Sequence, residues 1–363
     1  MDARVVKISL VTTTINIPKV LSLYRALGPD AMFHIVGDRK TPDEKVVDFL
    51  LDIPNHAYYG ADLLNDYKCA KFIGHNSIQR RNLGYLEAFK WGAEIVVTVD
   101  DDNAPLNDRY FDDFILKFVA WDRSTWGLGR QLGPCETPHS FSGLQVTSAH
   151  GWFDPGQLLI PQARHRGYPH DARTDFEVTH VVGAKIGVAA GLCLGNPDIS
   201  AVDRISRGPI VHSVSELARA GVVCDRNVHT VFNSQNTAFI REIAPAMFLW
   251  PGVGRYDDIY ASLIAQRIMR ERELYVYFGQ PFVYQERNLH NLLKDLRAEI
   301  DGMENIRKLA GFLGSVVLKP GSVIEQTRQL FEAFDSVPKS FDIMPKESVK
   351  AGLAWLEDCE SVL

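Results

Sequence analysis

Apolar and polar positions alternate along the first hundred residues in blocks that read strand, helix, strand, helix. Val5–Val11 (VVKISLV) is a dense β-branched run ending in Thr12, Thr13 and Thr14, the composition of a strand. Pro18 then opens the helical segment KVLSLYRAL, where a fixed φ suits a first turn. Met32–Val36 (MFHIV) is a second short apolar strand, stopped by Gly37 and Asp38. Asp43 caps EKVVDFLLDI, whose apolar spacing is helical. The span 74–90 predicts a helix with Ile78, Leu83, Leu86 and Phe89 on its buried face. Ile95–Val99 (IVVTV) is continuously apolar, as expected of a central parallel strand covered on both faces. Together these predict an α/β fold with a Rossmann-type, mostly parallel sheet.

From Trp121 to Asn236 the periodicity weakens, and Gly, Pro, His and aromatic residues dominate. A long irregular insert within a compact body is more often a functional surface than a linker. Helical spacing returns at Tyr256–Arg272, a strand follows at 274–279, and the tail from Leu289 is mostly helical. The expected organisation is one α/β body over 1–295, with the irregular region 121–236 inside it, and a C-terminal helical cap over 296–363.

Composition narrows the class. The chain has 363 residues, 46% of them apolar and 23% charged, with 39 Lys and Arg against 45 Asp and Glu. A net charge of −6 argues against a general nucleic-acid binder, which carries a basic surplus. Five scattered cysteines with no CxxC pair predict reduced thiols and no structural zinc. The N-terminal segment MDARVVKISLVTTT runs straight into a strand-like pattern, so no leader peptide is expected. The best membrane candidate, VGAKIGVAAGLCLG, is too short, glycine-broken and carries Lys185. A cytoplasmic protein without a membrane span is expected, and assembly into a homo-oligomer stays open.

The most informative segment is RRNLGYLEAFKWGAEIVVTVDDDN, Arg80 to Asn103. Side chains alternate along a strand, so Asp100 and Asp102 share one direction and Asp101 takes the other. Ligands of open α/β sheets bind at the carboxyl ends of strands. Hard oxygen ligands there suit Mg²⁺ or Mn²⁺ held jointly with a diphosphate. Arg80 and Arg81, on the preceding helix, would offer forked hydrogen bonds to that diphosphate. A solvated turn with capping aspartates and a solvated helix face are the bland readings of the same residues.

A strand, a helix carrying R-N-x-G and an apolar strand ending in DDD look like a GT-A nucleotide-sugar enzyme. Within that class the chain resembles the reversibly glycosylated polypeptides, the UDP-arabinopyranose mutase family. HRGYPHDAR (165–173) resembles the family's RGYPFSLR, and GLCLGNPD (191–198) its GLWLNIPD. NTAFIREIAPAMF (236–248) resembles NLAFDRELIGPAMYF, and GVGRYDDIYAS (252–262) resembles PIGRYDDMWAG. These occur in the family's order, so the resemblance covers roughly 5–295 and excludes the last helices. It implies a GT-A-like fold and a cytosolic enzyme dependent on Mn²⁺ or Mg²⁺. It also implies interconversion of the pyranose and furanose forms of an NDP-sugar, linked to UDP or GDP. Some actinobacterial relatives look like mutases for GDP-linked L-sugars such as L-galactose or L-fucose.

The resemblance also assigns roles. The family's reversibly glycosylated arginine matches Arg166. A guanidinium has a pKa above about 12 and no free lone pair, so attack on C1 needs a carboxylate to take its proton. Asp257 and Asp258 of GRYDD are the candidates. A phosphate clamp is the other reading of Arg166 and of Arg173, and helix capping that of Asp257. Asp102 and Asp100 are the candidate metal ligands, Asp100 and Asp101 the candidate nucleotide contacts, and Asp38 in VGDRK the candidate base contact. The family's YIYHSK is FVYQERNLH here. Gln285 stands at the histidine position, and His290, five residues on, is the remaining candidate for a third ligand. A glycosyltransferase and a catalytically silent nucleotide-sugar-binding subunit are the two alternatives.

Overall fold

The computed structural model of the chain describes residues 6–118, 140–286, 291–336 and 343–363. In chain order the strands are β1 (Ile8–Thr13), β2 (Met32–Val36), β3 (His56–Tyr59), β4 (Ile95–Val99), β5 (Asn103–Pro105), β6 (Phe141–Thr147) and β7 (Trp152–Phe153). They continue with β8 (Leu159–Ile160), β9 (Glu177–Gly195), β10 (Ser213–Val214), β11 (Val222–Cys224), β12 (His229–Thr230), β13 (Asn236–Ile240) and β14 (Leu274–Gln285). The helices are α1 (Leu21–Leu27), α2 (Asp43–Leu50), α3 (Ala70–Ile73), α4 (Arg81–Trp91), α5 (Tyr110–Phe118) and α6 (Ala201–Ser206). After them come α7 (Glu216–Ala220), α8 (Asp257–Glu271), α9 (Leu292–Ser315), α10 (Val323–Asp335) and α11 (Lys346–Val362).

A ten-stranded sheet of order β3-β2-β1-β4-β13-β9-β6-β11-β14-β5 forms the centre. The expected parallel order holds for β3, β2, β1 and β4. Beyond β4 the sheet is mixed, because β13 runs antiparallel to both β4 and β9. One apolar layer joins this sheet to α1, α2 and α5 through Leu21, Val46 and Phe114. The other joins it to α4, α8 and the C-terminal helices through Leu86, Ile264 and Trp355.

Three sequence expectations need correction. The helix expected over 74–90 is a 3₁₀ turn, Ile78–Arg80, followed by α4 from Arg81. Leu83, Leu86 and Phe89 are buried, but Ile78 is 44% exposed. The second is the irregular span to Asn236, which contains the 19-residue β9. This strand pairs with β6 through its first half and with β13 and β14 through its second. Thirdly, the late strand runs to Gln285, with a register shift beyond Gly279. The C-terminal helices are present, and α9 is one continuous helix that starts before the expected boundary at 296.

Among the described residues no helix is long and apolar enough to cross a membrane. Cys69, Cys193, Cys224 and Cys359 are buried and unpaired, and Cys135 lies outside the described residues.

Candidate active site

The parallel strands β1, β2 and β4 end side by side, and two adjoining cavities open there. The first, of about 260 Å³, is lined by Thr14, Val36, Asp38, Asn76 and Arg80. The second, of about 350 Å³, is lined by Arg81, the acidic triplet, Arg166, Asp198, Asp257, Asp258 and Gln285. Thr13, Ile78 and Asp101 border both. The ends of β9 and β14 and the start of β13 close the far side of the second cavity, bringing Asp198, Gln285 and Gln235 next to the triplet.

Helix α4 sets the floor. Gly84 packs against β1 and β2, where an added Cβ would come within 2.6 Å of Val11 Cγ1 and 2.9 Å of Val36 Cγ2. That close approach brings Arg81 beneath the strand ends. Arg81 is fully buried and donates to the Ser234 carbonyl at 2.8 Å, to Thr13 Oγ1 at 3.2 Å and to Asp100 Oδ1 at 2.8 Å. Among the described residues its Nε has no hydrogen-bond partner. Burial drives the Asp100 carboxyl upward, and Arg81 opposes this only in part, leaving it pushed up to about 6. Burial raises Asp101 as well, against the Thr14 hydroxyl that donates to it. Asp102 accepts from Gln285 Nε2, at 3.0 and 3.1 Å to its two oxygens.

Arg80 is placed differently from the sequence expectation. Its guanidinium donates to the carbonyls of Gly37, Gly74 and Ala61 and so ties three loops together. Asp38 lines the first cavity with both oxygens engaged, accepting from the backbone N–H of Arg39 at 2.7 Å and of Ser77 at 3.0 Å. Burial works to raise this carboxyl. The N–H groups of Asn76, Arg39 and Ser77, with Arg80, outweigh burial and hold it below its usual range. Arg173 is exposed, paired with Asp175 at 2.8 Å, and does not border either cavity.

Arg166 lies against the first turn of α8. Gly167 beside it has φ +89°, and a Cβ there would come within 2.3 Å of Ile259 Cγ2. The glycine therefore permits both the left-handed backbone and the contact with α8. Nη2 of Arg166 donates to Asp258 Oδ1 at 2.9 Å and Oδ2 at 3.1 Å, Nε donates to Asp198 Oδ2 at 2.6 Å, and Nη1 donates to the Arg255 carbonyl. Burial would lower this guanidinium, but Asp198 and then Asp258 outweigh it and hold it well above the usual arginine range. It is a firmly held cation. Asp258 also accepts from the Ser234 N–H at 3.0 Å. Its neighbour Asp257 accepts from Gln79 Nε2 at 2.7 Å, and burial, then the adjacent Asp258, push its carboxyl up.

The sequence reading missed Asp198, although it lies in the quoted GLCLGNPD segment, because an aspartate after Asn-Pro reads as a turn residue. It also missed Arg255. That arginine bonds Asp198 Oδ1 at 3.1 Å and Glu299 Oε1 at 3.1 Å, joining α9 to the site. His290 lies outside the described residues.

Among the described residues no group of three or more His, Cys, Asp or Glu side chains is arranged to hold a metal ion. The donor set nonetheless fits Mg²⁺ or Mn²⁺, which commonly take one or two carboxylates from the protein and complete their shell with phosphate oxygens and water. Asp100 and Asp102 both border the cavity. Compared with protein-family models and with curated proteins, the chain matches none.

Proposed function

We propose that the chain is a GT-A-like, divalent-metal-dependent nucleotide-sugar mutase that interconverts the pyranose and furanose forms of an NDP-sugar. One observation carries this reading. A single cavity gathers a strand-end acidic triplet suited to a cation and diphosphate, and an arginine clasped by two carboxylates. The nucleotide would lie across the carboxyl ends of β1, β2 and β4, with its base in the Asp38 cavity and its sugar toward Arg166. Asp100 and Asp102 would hold the cation, which when bound offsets the negative charge on the diphosphate leaving group. Arg81, beneath Asp100, keeps that carboxylate oriented.

A guanidinium nitrogen of Arg166 bonds to C1 as the bond from C1 to the diphosphate oxygen breaks, and the electron pair leaves with the diphosphate. The nitrogen's proton passes to Asp258, which already accepts from Nη2. Of the two partners Asp258 is the better acceptor, because Asp198 is shared with a second arginine, Arg255. The sugar ring then opens and recloses through a different hydroxyl, and the steps reverse to restore the nucleotide. Holding the sugar on the protein between these steps requires that water be kept from it. Asp257, whose raised carboxyl suits proton exchange near neutrality, is assigned to the ring hydroxyls.

A second reading, a GT-A glycosyltransferase in which Arg166 clamps phosphate, is favoured by the strength with which Asp198 and Asp258 keep Arg166 charged. Mass analysis of protein incubated with NDP-sugar separates the two. The mutase leaves a glycosyl group on the peptide containing Arg166, removed by excess NDP. A clamp leaves none.

A further inference from the structure

Asp102 and Arg166 are joined by an unbroken line of hydrogen bonds. Gln285 Nε2 donates to both oxygens of Asp102, at 3.0 and 3.1 Å. Gln235 Nε2 donates to Gln285 Oε1 at 2.6 Å, and the Asp198 N–H donates to Gln235 Oε1 at 3.3 Å. The Asp198 side chain then holds Arg166. Gln235 and Gln285 are both buried, so neither amide can exchange its partners freely for water. Every donor in the line points the same way, toward the acidic triplet.

That shared polarity is what matters. An amide has a donor end and an acceptor end, and turning one amide end for end places like against like at its neighbour. With Asp102 bare, the Gln285 NH₂ group is the favourable end to present. With a divalent cation on Asp102 the same NH₂ is repelled, and the carbonyl end becomes favourable. If Gln285 turns, its NH₂ meets the Gln235 NH₂. If Gln235 turns in response, its NH₂ meets the Asp198 N–H, which then needs another acceptor or another backbone position.

We propose that Gln285 and Gln235 form a two-position amide relay that couples cation binding at Asp102 to the placement of Asp198, and through it of Arg166. This rests on the reading of the triplet as a cation site. Gln285 is then a conditional oxygen ligand, and Gln235 is a positioning residue that reaches Asp102 through Gln285. The relay supplies what an account of coupling requires, a discrete two-state element whose equilibrium both ends bias. It also makes the coupling reciprocal: tightening the Asp198 clasp on Arg166 disfavours the cation-bound orientation.

The test is amide NMR on the deuterated full chain, titrated with MgCl₂ in the presence of inorganic pyrophosphate. The relay predicts that the side-chain NH₂ signals of Gln285 and Gln235 and the backbone amide of Asp198 shift together, with one midpoint. In Gln235→Met the Asp198 shift should vanish while that of Gln285 persists. Mg²⁺ should bind more tightly, by about fivefold or more, because Gln285 now turns without a cost at Asp198. A Gln235 role in packing alone predicts unchanged or weaker Mg²⁺ binding, and that result overturns the relay. Shifts confined to Gln285 in the wild type overturn it too, while leaving the cation site standing. No shift at any of the three positions removes both.

Discussion

Arg166 donates from Nη2 to both carboxylate oxygens of Asp258, at 2.9 and 3.1 Å, across 92 residues of sequence. The guanidinium is enclosed, so this contact and the one to Asp198 decide both its charge and its direction. Asp258→Asn keeps the shape and removes the proton acceptor. Turnover should fall by about 10²–10⁴-fold, the usual contribution of a positioned acid or base, with a smaller change in KM. Steady-state kinetics on the NDP-sugar check this, and an unchanged kcat removes Asp258 from the proton path.

Arg81→Met removes the donor to Asp100 and one of two donors to the Ser234 carbonyl, which keeps Thr98 Oγ1 at 3.0 Å. Breaking a fully buried ion pair from one side costs about 3–5 kcal/mol; Asp100 is half-buried at the cavity, so a smaller loss is expected, measurable by denaturant unfolding. The variant should also raise the Asp100 carboxyl further above its present value of about 6, since Arg81 lowers it. The pH midpoint for Mn²⁺ binding should move upward accordingly. A midpoint that stays in place separates Asp100 from the cation.

Asp257 gives a stability prediction with a defined sign. Its carboxyl is raised in the folded chain, chiefly by burial, so the protonated form favours the fold. That contribution is complete below the unfolded carboxylate range and is lost as pH rises through the raised folded value. Asp257→Asn imitates the protonated acid at every pH and can still accept from Gln79. The variant should melt above the wild type near about pH 8, and the difference should close toward about pH 4. Thermal unfolding across that range checks it.

Gly167→Ala should place strain next to Arg166. A Cβ there meets Ile259 at 2.3 Å and must adopt φ +89°, so overpacking and backbone strain of about 1–3 kcal/mol each apply. Gly151→Ala is the control, with φ +77° and open space around the added carbon. Loss of activity in the first variant, beyond what its stability loss accounts for, would show that the glycine places Arg166. Equal behaviour of the two variants would show that it does not.

Where side-chain periodicity carried information, the sequence was a good guide. The dense runs at β1, β2 and β4 and the triplet after them read directly, because parallel strands buried on both faces must be continuously apolar. Strand β9 escaped for a physical reason. Glycines at 183, 187 and 191 and alanines at 184, 189 and 190 blur its pattern, and its first half is largely exposed. The cleft residues divided along the same line. Asp100 and Asp102 stood out as charges at the end of an apolar run, Asp258 came from the resemblance carried by GRYDD, and the structure brings all three to one cavity. Arg80 and Arg81 read as an equivalent pair, yet they point to different partners, since successive helical residues do not face each other. Asp198 and Gln235 sit in turns that only the folded chain brings against Arg166 and Gln285.

Incubating the purified protein with candidate UDP- and GDP-linked pyranose sugars and Mn²⁺, with no acceptor, and resolving the products by ¹³C NMR decides whether the chain is a mutase. A mutase yields an equilibrium mixture containing the furanose isomer of the same NDP-sugar, its formation abolished by EDTA and in Arg166→Ala. Slow hydrolysis to free sugar and NDP, or isomer formation that persists undiminished in Arg166→Ala, would contradict the proposed function.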